Sequence, residues 1–257
     1  MSFAVPADAY QQFMGKFSDP LALLFADFAR SGAAGAGTSA LDVGCGTGAL
    51  TRVLADRLGA GAVAAVDPSA SFVAAARERL PGVDVRRAVA EQLPFDDGRF
   101  DLVLAQLVVH FRADPVAGLR EMARVARPGG VVAATVWDHG GGQGPLAVFW
   151  SAVREESPGA SDESNLPGVR QGQLPALFAA AGLPDADATA LTVEVAHASF
   201  EDWWRPFTLG VGPAGAHVAG LDDEARAALR ERCRARLPTG AFSTRATAWA
   251  ARGRRTP

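Results

Sequence analysis

The sequence predicts an open, mostly parallel α/β sheet with helices on both faces, and three observations carry that prediction. Five short apolar runs alternate with helix-period segments through the first half of the chain. The first run ends in a glycine turn, Asp42-Val43-Gly44-Cys45-Gly46-Thr47-Gly48. The second ends in a carboxylate, Asp67, at about the 20-residue interval from that turn at which a strand-helix-strand unit delivers an acid to ribose hydroxyls.

The elements follow in order. Tyr10, Phe13, Met14 and Phe17, then Leu21, Leu24, Phe25 and Phe28, predict two helices within residues 1–30, and Ser31 to Thr38 reads as a small-residue linker. Ala40 to Val43 is a buried strand. The glycines after it permit positive φ and let backbone approach a ligand closely. Leu50, Val53, Leu54 and Leu58 recur at i, i+3, i+4 and i+8, which is one helix face, so Gly48 to Leu58 is a helix. Ala62 to Val66 is the second strand. Ser69 caps a helix that Pro81-Gly82 stops after Leu80, and Val83 to Ala88 is the third strand. Phe100 to Ala105 is the fourth. Asp114-Pro115, an N-cap followed by proline at the first helical position, opens a helix with the stripe Val116, Leu119, Met122, Val125 and Ala126. Pro128-Gly129-Gly130 ends it, and Val131 to Trp137 is the fifth strand.

The second half has another character. Gly140 to Gly172 is rich in Gly, Pro and Ser, with one short helix around Leu146 to Val153; Leu174 to Ala181 is a helix ending at Gly182. Leu191 to Ala196 and Arg245 to Ala250 alternate as strands do. Between them lies a helical insertion with Trp203, Trp204, Phe207 and the charged run Asp222 to Arg236. No internal repeat is present.

Bulk properties narrow the function. The chain has 257 residues, 49% of them hydrophobic, and a net charge of −3, enough for one sizeable core and no basis for nucleic-acid or membrane partners. No run of apolar residues is long enough to span a membrane and no leader pattern is seen, so a cytoplasmic protein is expected, as monomer or homodimer. Cys45 and Cys233 are too few for a disulfide framework or metal cluster, and Cys45 reads as a small residue packed in the turn. No metal is expected.

The glycine turn fits two templates. As G-x-G-x-x-G/A it is Gly44, Gly46 and Ala49, a dinucleotide fingerprint; as D-x-G-x-G-x-G it is Asp42, Gly44, Gly46 and Gly48. The motifs behind it separate the two. Ala90-Glu91-Gln92-Leu93-Pro94-Phe95 precedes Phe100-Asp101-Leu102-Val103, and Glu121-Met122-Ala123-Arg124-Val125 precedes Arg127-Pro128-Gly129-Gly130. With these in order, the chain resembles a class I S-adenosylmethionine-dependent methyltransferase of the ubiquinone/menaquinone-biosynthesis branch, closely over residues 8 to 138 and loosely beyond. An NAD-dependent dehydrogenase would need a pyrophosphate at the helix N-terminus and a hydride partner, and no substrate domain for that is recognisable.

The resemblance implies a Rossmann-like doubly wound α/β fold: a seven-stranded sheet with the last strand antiparallel, plus helical cap insertions. It implies cofactor-covering N-terminal helices over residues 1–38 and a methyltransferase domain over 39–257, its core at 39–138 and its substrate cap and last strands at 139–257. The cofactor would be S-adenosyl-L-methionine and the partner a small, hydrophobic or aromatic methyl acceptor. A protein of the same fold with cyclase-like or purely binding activity is the rival. Asp67, followed by Pro68, would take the ribose hydroxyls; Gly44 and Gly46 would approach the cofactor; Asp42 would brace the loop or reach the amino group through water. Tyr10, Met14 and Lys16, the only lysine, would fold over the methionine end, with Lys16 on the carboxylate. Ala90 and Glu91 would meet the adenine, although Val89 stands where the family often has an acid. Gln106 would line the methionine side.

His110, just after the fourth strand, is the candidate base, because its ordinary pKa of about 6.5 suits proton removal. Asp138, after the fifth strand, would orient it or act alone. His139 is a weaker candidate, and His197 and His217 read as surface or cap residues. Trp137, Trp203, Trp204 and Phe207 are candidates for an apolar pocket, with ordinary core the competing role for each.

Overall fold

The computed structural model describes residues 7–30, 37–160 and 162–256. Most of the linker read at Ser31 to Thr38 lies outside the described residues, as do residues 1–6. One turn of helix, α1 (Ala7–Tyr10), runs through a π-helical stretch, Gln11–Gly15, into α2 (Lys16–Arg30). The two predicted helices are thus one helical path with a widened turn in its middle. There follow β1 (Ala40–Val43), α3 (Ala49–Leu58), β2 (Val63–Asp67), α4 (Ala70–Arg79), β3 (Asp84–Arg87), β4 (Phe100–Gln106), α5 (Pro115–Val125) and β5 (Ala126–Trp137). The second half adds α6 (Ala147–Glu156), α7 (Gln173–Ala180), β6 (Asp187–His197), α8 (Phe200–Trp204), α9 (Gly212–Ala219), α10 (Asp223–Arg234) and β7 (Phe242–Arg254).

The seven strands form one sheet in the order β3-β2-β1-β4-β5-β7-β6, with β7 antiparallel to both neighbours. This is a Rossmann-like doubly wound fold whose last strand is inserted antiparallel, the sheet that the sequence predicts. Alternation along the strands sorts the core. Ala40, Leu102 and Leu104 face α2 and α3 with Phe25, Leu50 and Leu54, whereas Leu41, Val43, Val103 and Ala105 face α5 and α7 with Leu119, Met122 and Phe178. Burying each such side chain is worth about 1.5–3 kcal/mol.

Local signals act as their chemistry dictates. Asp114 accepts from the Ala117 N–H, Asp222 from Ala225 and Ser69 from Phe72. Pro128-Gly129-Gly130 behaves differently from the reading above: β5 already begins at Ala126, and the pairing jumps from Phe100 with Ala126 to Leu102 with Val131. The Pro-Gly-Gly is therefore an irregularity inside the strand.

Sheet order reverses between β1 and β4, and the crevice beyond their carboxyl ends is where such sheets receive ligands. Among the described residues no helix is long and apolar enough to cross a membrane.

Candidate functional site

The loop after β1 is tied to the end of β2. The Val66 carbonyl accepts from the N–H groups of Gly44 and Cys45 at 2.7 and 2.9 Å. Asp67 closes the corner, one carboxylate oxygen accepting from the Gly46 N–H at 2.9 Å and the other from Ser69 at 2.8 Å. Burial raises the Asp67 pKa, while those two N–H groups and Arg112 pull it down. Gly44 has φ +74°, and a Cβ there would lie 2.4 Å from a Val108 methyl, so neither the conformation nor the space admits a side chain. Gly46, at φ +54°, has nothing within 4 Å of its Cβ position. That open side faces a cavity of about 580 Å³.

Tyr10, Gly44, Gly46, Asp67, Pro68, Ala90 and Gln106 all line this cavity. The Tyr10 ring packs on Phe72, 5.2 Å between centroids, and burial pushes its hydroxyl pKa to about 12, with Asp67 adding in the same direction. Gln11 fastens the N-terminal segment over the loop by accepting from the Thr47 hydroxyl at 2.8 Å.

A smaller compartment of about 40 Å³ adjoins it and shares Tyr10, Leu107 and Phe111 as walls. Its lining is aromatic and apolar, including Phe13, Met14 and Trp137, but it also contains His110, His139 and Glu163. His110 is fully enclosed beside Phe111, and neither ring nitrogen has a hydrogen-bond partner among the described residues. Burial drives its pKa well below the usual value, helped by His139 and Arg112, so the ring is neutral at pH 7. Among the described residues no three metal-ligating side chains come together to hold an ion.

The methyltransferase domain family matches residues 41–134, the stretch from β1 through most of β5. The demethylmenaquinone methyltransferase of Shouchella clausii is 39% identical over 103 residues, covering 38% of this chain and 44% of that one. The ubiquinone biosynthesis O-methyltransferase of Caulobacter vibrioides is 43% identical over 115 residues, covering 42% and 45%. The chain spans less than half the length of these curated relatives. Similarity of fold reaches further. YcgJ of Bacillus subtilis superposes with a TM-score of 0.58 at 18% identity, over 93% of this chain and 98% of that one. The [4+2]-cyclase SpnF does so with 0.55 at 23%, over 93% and 80%.

Several expected residues sit elsewhere. The Lys16 ammonium is 2.6 Å from Asp202 and lines a separate small cavity with His197, so it is not brought to the large one. Met14 belongs to the aromatic compartment. Asp42 stands behind the loop, where its carboxylate accepts from the Thr51 hydroxyl at 2.6 Å and braces α3. Its other oxygen is buried without a partner among the described residues, and burial raises its pKa to about 7. Glu91 is not at the cavity wall. Val89 is 42% exposed, and Ala88 and Arg87 take the neighbouring wall positions.

Asp138 does not orient His110. Its carboxylate accepts from the Gly141 N–H at 2.7 Å and so organises the turn after β5. His197 bonds the Thr244 hydroxyl at 2.8 Å, and His217 lies in α9 against Phe149 and Trp150. Trp137 reaches the compartment, whereas Trp203, Trp204 and Phe207 pack together with Phe200 and Phe149 as the core of the cap. Among the residues that sequence reasoning missed are Phe72, Arg87, Val108 and Arg112 at the large cavity, Leu107 and Phe111 between the two, and Glu163 at the small one. Arg112 had a signal, lying two residues past His110 at the same strand edge. Glu163 had none.

Proposed function

We propose that this chain transfers a methyl group from S-adenosylmethionine to a small acceptor. The observation that carries the reading is the pair of neighbouring compartments, one walled by the glycine turn and Asp67 and the other aromatic, which share Tyr10, Leu107 and Phe111 as walls.

The residues present suit that cofactor. Asp67 sits at the end of β2 with lone pairs left for the two ribose hydroxyls, and charge-assisted bonds of this kind are strong. Gly46 leaves open the space that a Cβ would fill. Pro68, Phe72 and Ala90 offer flat apolar wall for a purine. Gln106 is anchored by donating to the Ser18 carbonyl at 2.9 Å, while its own buried carbonyl oxygen has no partner; Arg112 likewise has a buried Nε–H with none. An acceptor and a cationic donor are what the ammonium and carboxylate of a methionine end require. When bound, the cofactor supplies an activated methyl carbon on a sulfonium.

The protein's part is to hold the acceptor in line and keep water away, and positioning of this kind is worth about 7–11 kcal/mol. Tyr10, Leu107 and Phe111 form the boundary across which the acceptor would face the methyl group. Likeness over part of the chain to a demethylmenaquinone methyltransferase and a ubiquinone biosynthesis O-methyltransferase does not by itself choose among oxygen, nitrogen and carbon acceptors.

Calorimetry with S-adenosylhomocysteine, followed by transfer of label from methyl-labelled cofactor to phenols, amines and quinone precursors, tests the reading. Asp67→Ala should weaken cofactor-product binding by about 1.5–3 kcal/mol. Binding without transfer to any acceptor would favour a non-methylating protein of this fold, and binding of NAD in its place would restore the dehydrogenase reading.

A further inference from the structure

The aromatic compartment holds polar capacity that the protein itself does not use. Glu163 is 3% exposed, yet its Oε2 has no hydrogen-bond partner among the described residues. Its position is fixed rather than accidental. Asp162 caps the short 3₁₀ turn Glu163–Asn165 by accepting from Ser164, and Arg154 of α6 pairs with Asp162 at 2.6 Å. The Trp150 indole N–H, on the same helix, is near enough to the Glu163 carboxyl to draw its pKa down a little, yet it falls short of hydrogen-bond geometry. Across the compartment His110 has two unpartnered ring nitrogens, and His139 lies 6.0 Å from it, centroid to centroid.

Buried polar groups in folded proteins almost always find partners, and a set left open in one enclosed space asks for a ligand that completes it. We propose that Glu163 is the group that binds the acceptor and takes its proton, and that the acceptor is an aromatic ring bearing a hydroxyl. This rests on the methyl-transfer reading and goes beyond it by naming the acceptor class and the base.

Two arguments select a ring hydroxyl. A neutral imidazole offers one donor and one acceptor, and Glu163 offers an acceptor. A hydroxyl both donates and accepts, so it satisfies either side, whereas an ammonium has no acceptor and leaves the imidazole N–H unpaired. The remaining walls, among them Phe13, Phe111 and Trp137, suit a flat apolar body.

The choice of Glu163 over His110 as base follows from burial. Protonating His110 would create a cation in an apolar enclosure, while protonating Glu163 removes an anion from it. In agreement, burial lifts the Glu163 carboxyl to about 7 and holds His110 neutral. His110 is then a positioning residue. The balance is simple. The acceptor oxygen forms one bond to the methyl carbon, the carbon–sulfur bond breaks with its pair left on sulfur, and the hydroxyl proton ends on Glu163. One cation and one anion are both neutralised. At about 40 Å³ the compartment has room for only a few waters, so a ring must push part of the lining aside to enter.

The test is a titration of catechol and 2-naphthol, and of their methyl ethers, into the protein loaded with S-adenosylhomocysteine. The hydroxyl compounds should bind about 10–100-fold more tightly than the ethers, the range of a hydrogen bond to a charged group. Glu163→Gln should bring the two to near parity without altering S-adenosylhomocysteine affinity, and Glu163→Asp should restore part of the preference. Equal affinity for hydroxyl and ether in the wild-type protein, no binding of either, or a preference that survives Glu163→Gln would overturn the proposal. Failure of the wild-type protein to bind S-adenosylhomocysteine would instead overturn the methyl-transfer reading on which it rests.

Discussion

The two compartments are built from different material. The large cavity is framed by strand ends and the turns just after them, where main-chain N–H groups already hold both oxygens of Asp67. The aromatic compartment is assembled from the N-terminal segment, two post-strand turns, a 3₁₀ turn and α9, and Glu163 Oε2 and both His110 ring nitrogens have no hydrogen-bond partner among the described residues. The difference separates two tasks. A site whose polar groups are held by backbone is set before any ligand arrives and suits an unchanging molecule. A site whose polar groups stay open takes its selectivity from the ligand that completes them.

That contrast can be broken first at the glycine turn. Gly44→Ala forces a side chain onto positive φ and into Val108, and should cost about 2–4 kcal/mol of stability in denaturant titrations. Gly46→Ala meets no atom, so it should cost only about 1–2 kcal/mol of backbone strain and fall mainly on S-adenosylhomocysteine binding. Equal losses of stability in the two would mean that the turn is less rigidly built than its hydrogen bonds imply.

A second measurement sharpens the account of Asp42. Burial holds its carboxyl at about 7, above the unfolded value, so the folded chain keeps a proton that the unfolded chain releases near pH 4. This contribution to stability therefore declines as pH rises from 4 to 7. Asp42→Asn, equal in shape and never charged, should gain on the wild-type protein across that interval by about 1–3 kcal/mol. His139, held down to about 4 by burial, acts oppositely, since the unfolded chain takes up its proton first as pH falls below 6.5. The difference between variant and wild type cancels it. A pH-independent difference would show that Asp42 is ionised without penalty.

The smallest effect is expected at Lys16. Its pairing with Asp202 is between two partly exposed side chains, and such pairs are worth about 0–1 kcal/mol. Lys16→Ala should leave S-adenosylhomocysteine affinity unchanged in calorimetry. A large loss would return this lysine to the cofactor.

Lys16 also shows what sequence can and cannot convey. The glycine turn, Asp67 and the first four strands were legible because each is set by neighbours within a few residues: apolar runs, caps and positive-φ turns. The ends of β6 and β7 were less so. Asp187 to Ala190 is exposed on every residue and offers only alanine as its apolar partner to Asp and Thr, so its pairing with β7 is what makes it strand. Asp202 is distant from Lys16 in sequence, and no local pattern announces that the two meet. Glu163 lies in a Gly/Pro/Ser-rich stretch without periodicity, and its burial in a compartment beside Trp150 of α6 is a tertiary event that no local pattern announces. Asp138 was placed correctly at a strand end, but the direction of its side chain depends on the turn to Gly141, which a residue count does not fix.

The pairing of β6 with β7 has one more consequence. His197 and Phe242 are partners on one rung of that ladder, and the whole helical insertion over 198–241 leaves and returns there. Its two ends are thus held about 5 Å apart by the sheet itself. The closure entropy of such an excursion grows only with the logarithm of its length, so it can be lengthened, shortened or exchanged with the register of every strand unchanged. For an engineer the insertion is a cassette, open to recombination between homologous scaffolds, with its two splice points already marked by the ladder.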